Sequence, residues 1–204
     1  MIKLRTFQTS EELISQCLAT FHEILPTLGT ADGVMLAGGK TPLEIYRRAV
    51  SDTKGVLFLS DERYVPVADP QSNYGTISPF FPNLLKIQTD RPIEVAARTF
   101  DAELRKLKKI PLGLLGLGAD GHTASLFNLQ DAALRDERLA IPVMKKEKPD
   151  RISVTPHLLH RVQKILILAT GADKRTMIQT LLKNPETIPA GVALADHPDV
   201  EIWT

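Results

Sequence analysis

Apolar residues recur at helical spacing near the amino terminus, where Leu13, Ile14, Cys17, Leu18, Phe21, Ile24 and Leu25 fall on one stripe. Thr9 and Glu12, just ahead of that stripe, have the spacing of a capping box, so a helix is predicted to begin near Thr9. The next apolar segment is short, Val34 to Ala37, and is followed by Gly38-Gly39-Lys40 and by Thr41-Pro42-Leu43-Glu44. The latter is a second capping box with Thr41 as cap and proline at the first helical position. That pattern reads as strand, glycine turn, helix. Another short run, Val56 to Leu59, opens into SDERYVPVADPQSNYG (Ser60 to Gly75), rich in charge and turn residues and read as a functional loop. A helix from about Glu94 to Lys109 buries Val95, Ala96, Phe100, Leu104 and Leu107 and leads through Pro111 into the run Leu112 to Leu115. After GLGADGHTASLF (Gly116 to Phe127) come predicted strands at Leu139 to Val143, Ile152 to Val154 and Lys164 to Ala169. A helix over about Ala172 to Leu182 and a terminal VEIW complete the chain.

Apolar runs of this length, alternating with amphipathic helices, predict an α/β fold: a Rossmann-like open, mostly parallel sheet with helices on both faces. Ligands of such sheets bind beyond the carboxyl ends of the strands, so the loops after Ala37, Leu59, Leu115 and Ala169 are expected to share one rim. No internal repeat or long linker divides the 204 residues, which are read as one domain spanning residues 1–204. The stretch KKEKPD (Lys145 to Asp150) reads as a solvated loop.

Composition narrows the function classes. Hydrophobic residues make up 43% and charged residues 24%, which excludes a disordered chain. Lys and Arg total 25 against 24 Asp and Glu, so no global field draws the molecule to nucleic acid or to an anionic membrane, and any bound anion must be held locally. The amino terminus lacks the apolar core of a signal peptide, and ILILA (Ile165 to Ala169) is far too short to span a bilayer. A single cysteine, Cys17, has no internal partner and points to a reducing compartment, the cytoplasm. Nothing in the sequence carries the signature of a particular oligomeric state.

Three segments could carry chemistry. Gly38-Gly39-Lys40-Thr41 lies between a strand and a helix, where free backbone N–H groups suit an anion such as phosphate; the alternative is a plain tight turn with two glycines at positive φ. A phosphate-binding P-loop is rejected, because Gly33 and Gly39 have five residues between them, not four, and the strand occupies them. Ser60-Asp61-Glu62-Arg63 offers acid, base and anion clamp, or else a surface ion-pair cluster. Gly116-Leu117-Gly118-Ala119-Asp120-Gly121-His122 is the most specific: glycines let backbone approach a ligand, and a histidine beside an acid can take a proton from water and return it to a leaving oxygen. A dinucleotide fingerprint fails there, because the third glycine runs into His122 and not into an established helix. Arg151, ahead of a strand, and Lys174, in the first turn after Thr170-Gly171, could clamp a dianion. The remaining histidines lack metal-ligand spacing, so no metal is predicted. Ser125 and Cys17 lack the setting of a nucleophile.

LAGGKTP, SDERYVP, QSNYG, GLGADGHTASLF and the stretch from RISVTP through ATGADK occur in an order that resembles the 6-phosphogluconolactonase family, related to glucosamine-6-phosphate isomerases/deaminases. The resemblance runs from about Val34 to Trp203. It implies hydrolysis of 6-phospho-D-glucono-1,5-lactone to 6-phosphogluconate, the second step of the oxidative pentose phosphate pathway, with a phosphosugar lactone as the small-molecule partner and no cofactor. By motif match, His122 takes the general-base position, with Asp61 and Asp120 near the reacting carbon. Gly38, Gly39, Lys40, Thr41, Arg63, Arg151 and Lys174 fall around phosphate or sugar. Deaminase-like relatives carry DEY where this chain has Asp61-Glu62-Arg63, and an apolar pair followed by an acid after the histidine, where this chain has Thr123-Ala124-Ser125. Both differences favour the lactonase over the deaminase, the other reading being a sugar-phosphate-binding module without turnover. Two departures from the family pattern stand out: Lys40 replaces a usual serine, and the connection between Val50 and Val56 is short.

Overall fold

The computed structural model describes residues 2–49 and 53–204, so the short connection after Val50 lies partly outside the described residues. Among the described residues, nine strands and eight α-helices follow one another: β1 (Lys3–Arg5), α1 (Ser10–Ile24), β2 (Asp32–Leu36), α2 (Lys40–Tyr46), β3 (Val56–Leu59), β4 (Asp61–Arg63), α3 (Asn73–Ile77), α4 (Ile93–Arg105), β5 (Lys109–Gly116), α5 (Leu129–Ala132), β6 (Ala140–Val143), β7 (Arg151–Val154), α6 (Pro156–Leu159), β8 (Ile165–Leu168), α7 (Arg175–Lys183), α8 (Pro189–Ala193) and β9 (Val200–Trp203). Six strands form a wholly parallel sheet in the order β1-β9-β8-β5-β2-β3. The other three make a small antiparallel sheet, β4-β7-β6.

Alternation along the strands of the parallel sheet sorts the core into two layers, as a sheet covered on both faces requires. Val34, Leu36, Leu112, Leu114, Leu166 and Leu168 face Leu13, Cys17 and Phe21 of α1, Ile45 and Tyr46 of α2, and Phe81. Met35, Phe58, Leu115, Ile165 and Ile167 face Phe100 and Leu104 of α4, Ile178 and Leu181 of α7, and Ile141 and Ile152 of the small sheet. The apolar stripe of α1 is buried as its spacing requires, and the hydroxyl of Thr9 accepts from the N–H of Glu12 at 3.1 Å. The Glu12 carboxylate caps one residue earlier than expected, at the N–H of Gln8. Cys17 is a core residue: burial pushes its thiol up to about 12, which removes it from nucleophilic chemistry. Among the described residues, no helix is long and apolar enough to cross a membrane.

Four sequence expectations change. α2 begins at Lys40 with Gly39 as its cap, so Thr41 is not the N-cap; its hydroxyl instead bonds that of Thr170 at 2.7 Å. Of the two turn glycines only Gly39 has positive φ, 111°. The helix predicted to Lys109 ends at Arg105, because β5 takes the chain from Lys109 onward. Ser60 to Gly75 is not wholly loop: Asp61–Arg63 is a strand whose partner is Arg151–Ser153, a pairing too distant in sequence for local pattern to reveal. β1, at the sheet edge, is a further strand that the alternation of charged and apolar residues in so short a segment did not signal.

Two buried polar contacts position the rim. The hydroxyl of Tyr46, fully buried, donates to the carbonyl of Ala37 at 2.9 Å and accepts from its N–H at 3.1 Å, so α2 pins the residue that precedes the glycine turn. Glu62, 1% exposed, is a structural acid and not the catalytic acid or base that its neighbours suggested. Its carboxylate accepts from the N–H groups of Arg63 (2.7 Å), Asn73 (2.8 Å) and Tyr74 (2.6 Å) and from the Ser72 hydroxyl (3.1 Å), which fastens the start of α3 to β4. Burial raises its pKa above the ordinary carboxylate value; the four donors work against that shift without cancelling it.

Tyr46→Phe leaves both backbone groups of Ala37 buried and unpaired, and is expected to cost about 1–3 kcal/mol, read as a lower urea midpoint at unchanged m value. Glu62→Gln replaces two acceptors by one and turns an amide NH2 toward N–H donors, with an expected cost of about 1–3 kcal/mol. A carboxyl whose folded-state pKa is raised gives stability that is fully present at low pH and is lost as pH rises through that raised value. The stability gap between wild type and Glu62→Gln is therefore widest at low pH and narrows as pH rises; denaturant titrations at several pH values showing a gap that widens would contradict this.

Candidate active site

The carboxyl ends of β2, β3 and β5, with the turn after β8, enclose a cavity of about 270 Å³, close to the lower limit of ordinary ligand pockets and of a size for a monosaccharide rather than a dinucleotide. Its wall includes Gly38 and Gly39, Ser60, Asp61 and Arg63, Asn73, Gly116 to Gly118, His122, Ala124 and Lys174. The four loops expected on one rim each contribute to it or lie against it: those after β2, β3 and β5 directly, and the one after β8 through Lys174 and through Thr170, which holds Thr41.

His122 sits on the loop after β5. That loop is closed by Gly118 N–H donating to the His122 carbonyl at 2.8 Å and by the Thr123 hydroxyl donating to the Gly116 carbonyl at 2.9 Å. The Asp120 carboxylate contacts the imidazole at Nδ1 and accepts from the His122 N–H at 3.2 Å. Nε2 is thereby the nitrogen left for other partners. The close approach needs a glycine at 118, since a Cβ there would fall 2.1 Å from Nδ1 and 2.5 Å from Asp120 Oδ1. Partial burial works to raise the Asp120 pKa, yet its bonds to His122 prevail and hold the carboxyl below its ordinary value. Asp120 does not line the cavity; it acts on the histidine that does.

Asp61 is fixed from two sides. The Ser60 hydroxyl donates to Oδ1 at 3.0 Å and the Ser125 hydroxyl to Oδ2 at 2.7 Å, while the Ser125 N–H donates to Ser153 Oγ at 3.1 Å. Ala124, just before Ser125 and on the cavity wall, has φ 48°, a left-handed backbone at a non-glycine residue. Ser125 is thus an anchor for an acid, which accords with its lack of nucleophile context. Arg63 donates from one guanidinium nitrogen, Nη1, to the Gln71 carbonyl (2.6 Å) and to Asn73 Oδ1 (2.7 Å), leaving its other donors uncommitted among the described contacts. Asn73 in turn donates to the Asp61 carbonyl at 2.9 Å. Gly38 packs so closely on that amide that a Cβ would lie 2.3 Å from Asn73 Oδ1, which explains its glycine without any need for positive φ.

Of the residues named from sequence, Gly38, Gly39, Asp61, Arg63, His122 and Lys174 share the cavity. Lys40, Thr41 and Arg151 do not line it. Arg151 stands opposite Arg63 in the β4–β7 register and spends Nη1 on the carbonyls of Pro149 and Asp150. Burial, and then the neighbouring Arg63 charge, lower its pKa below the usual arginine value. Lys174, in the short 3-10 turn Ala172–Lys174, has Nζ 3.4 Å from the exposed carboxylate of Asp173. Asn73 is a cavity-wall residue to which motif reading of QSNYG gives no chemistry of its own; its amide reaches Arg63 and Asp61 only once β4 and α3 are joined. Among the described residues no cluster of three or more His, Cys, Asp or Glu is arranged to hold a metal ion.

This arrangement can position water against an imidazole at one side of a small polar crevice and an anion against amides and an ammonium at another. Comparisons with known proteins bear on the family and the fold. The family model described as glucosamine-6-phosphate isomerases/6-phosphogluconolactonase matches residues 7–203. The chain is 32% identical over 164 residues to 6-phosphogluconolactonase of Thermotoga maritima, covering 74% of each. It is 31% identical over 210 residues to 6-phosphogluconolactonase of Treponema pallidum, covering 90% of this chain and 86% of that one. The crystal structure of a 6-phosphogluconolactonase from Thermotoga maritima superimposes with a TM-score of 0.84 at 25% identity, covering 100% of this chain and 98% of that one. With sequence and fold agreeing over nearly the whole length, the chain belongs to the glucosamine-6-phosphate isomerase/6-phosphogluconolactonase family.

Proposed function

We propose that this chain hydrolyses 6-phospho-D-glucono-1,5-lactone to 6-phospho-D-gluconate, with His122 as general base. The observation that carries the reading is His122, oriented by Asp120, facing the same cavity as the glycine turn and Lys174. The relatives of that name support the substrate, and Arg63 in place of a tyrosine sets the chain apart from deaminase-like sequences in the way the motif resemblance implied.

A lactone carbonyl is already activated, so the protein has to position water, remove its proton and bind the charge that develops. Water attacks the carbonyl carbon as its proton passes to Nε2 of His122, and the carbonyl π electrons move onto oxygen. The tetrahedral intermediate then collapses, the bond from carbon to ring oxygen breaks, and the imidazolium returns the proton to that oxygen. Such proton transfer is worth roughly 10²- to 10⁴-fold. Asp120 holds the imidazole and stabilises its charged form. Asp61, anchored by Ser60 and Ser125, accepts from the attacking water or a sugar hydroxyl. The phosphate rests on the amides of the Gly38-Gly39 turn and on Lys174, with the uncommitted donors of Arg63 toward the sugar. Lys40, Thr41 and Arg151, off the cavity wall, receive no direct contact in this reading; Thr41 supports the rim through Thr170. Binding energy at the phosphate thus fixes the carbonyl against the base. The same reading puts the chain in the cytoplasm, in keeping with its single, buried cysteine.

With freshly prepared lactone, and spontaneous opening subtracted, His122→Ala is expected to lower kcat by about 10²-fold or more with little change in KM. Lys174→Ala is expected to raise KM about tenfold or more while kcat changes less. Wild-type turnover in His122→Ala, or ammonia release from glucosamine 6-phosphate by the unaltered protein, would contradict the proposal.

A further inference from the structure

A carboxylate at Nδ1 fixes one nitrogen of an imidazole but leaves the ring free to swing about that contact. A base that must meet a water held within a few tenths of an ångström needs a second constraint. In this structure the second contact is aromatic. The Phe127 ring lies 4.6 Å from the His122 ring, centroid to centroid, at an interplanar angle of 50°. Phe127 meets the histidine from outside the cavity wall.

The ring of Phe127 is itself held. Lys145 Nζ stands 3.8 Å from its centroid, a cation seated over an aromatic face. Lys145 belongs to KKEKPD, the stretch whose composition reads as a solvated loop. Lys146, Glu147 and Lys148 are exposed there as expected, but Lys145 is half-buried. Its N–H donates to Asp150 Oδ1 at 2.9 Å, and Lys148 Nζ reaches Asp150 Oδ2 at 2.6 Å, so one buried carboxylate ties down both ends of the segment. The charged groups around His122 are then Asp120 on its own loop and Lys145 beyond Phe127, with Asp61, Arg63 and Lys174 on the cavity wall.

Resting on the assignment of His122 as base, we propose that Phe127 is a positioning residue for the imidazole and that Lys145, seated over the same ring, keeps Phe127 in place. The tilted ring contact stops the imidazole from swinging away from the cavity while Asp120 sets which nitrogen faces it. Together they restrain the ring about both of its free torsions, and the KKEKPD segment becomes part of the catalytic support.

The test is steady-state lactonase kinetics of four variants, each normalised to its folded fraction by circular dichroism. Phe127→Leu keeps an apolar side chain without the ring and is expected to lower kcat about tenfold or more while KM stays within about twofold. Phe127→Tyr restores the ring and is expected to recover most of that loss. Lys145→Met keeps the stem without the charge and is expected to lower kcat about threefold, again at constant KM. His122→Ala separates the two levels: loss of turnover there with unchanged kcat in Phe127→Leu overturns the positioning role alone, whereas turnover retained in His122→Ala overturns the assigned base. A rise in KM as the main effect of Lys145→Met would mean that Lys145 touches substrate, and overturns the proposal. If Phe127→Leu fails to fold, Phe127→Tyr and Lys145→Met still decide it, since unchanged kcat in Lys145→Met overturns the proposal and a selective fall supports it.

Discussion

Parallel pairing obliges every strand of the large sheet to end at the same edge, and this constraint puts four otherwise unrelated loops within reach of one small molecule. The glycine turn after β2, the acid after β3 and the histidine loop after β5 are far apart in sequence and adjacent in space for that reason alone. The rim still has to be held at the scale of hydrogen bonds. Tyr46 does this below the glycine turn, and Asp61, Ser125 and Ser153 do it across the join between the large sheet and the small one.

The buried carboxylate of Glu62 extends the same logic. It replaces the water that the N–H groups of Asn73 and Tyr74 would otherwise need, and so lets α3 begin against β4. Asn73 can then reach both Arg63 and Asp61 and leave room for nothing larger than glycine at position 38. A residue between two cavity-wall side chains, Asp61 and Arg63, thus supports the cavity by its buried hydrogen bonds.

Much of the architecture is legible in the sequence because it rests on local regularities. The stripe of α1, the apolar runs of β2, β3, β5 and β8 and the glycine turn announce themselves by spacing. His122 and Asp120 stand out in the sequence because both lie in the seven residues from Gly116 to His122, three of which are glycines. The small sheet was not legible, since β4 is three residues long and its partner lies about ninety positions away. The surroundings of Arg151 were hidden for the same reason: only the pairing of β4 with β7 shows that it flanks Arg63 and turns its guanidinium to backbone carbonyls. Thr41 is not the cap because α2 starts one residue before it, at Lys40, and its hydroxyl bonds that of Thr170 on another loop. Lys145 escaped notice because a charge run carries no sign of which of its lysines meets an aromatic ring.

The central claim is a division of labour, with the phosphate held at the glycine turn and Lys174 and the carbonyl carbon at His122. A crystal structure with 6-phosphogluconate bound measures it most directly. The account predicts phosphate oxygens on the amides of Gly38 and Gly39 and on Lys174 Nζ, with the carboxylate of the product within hydrogen-bond distance of His122 Nε2. A reversed molecule, its carboxylate on the glycine turn and its phosphate beside His122, would contradict it.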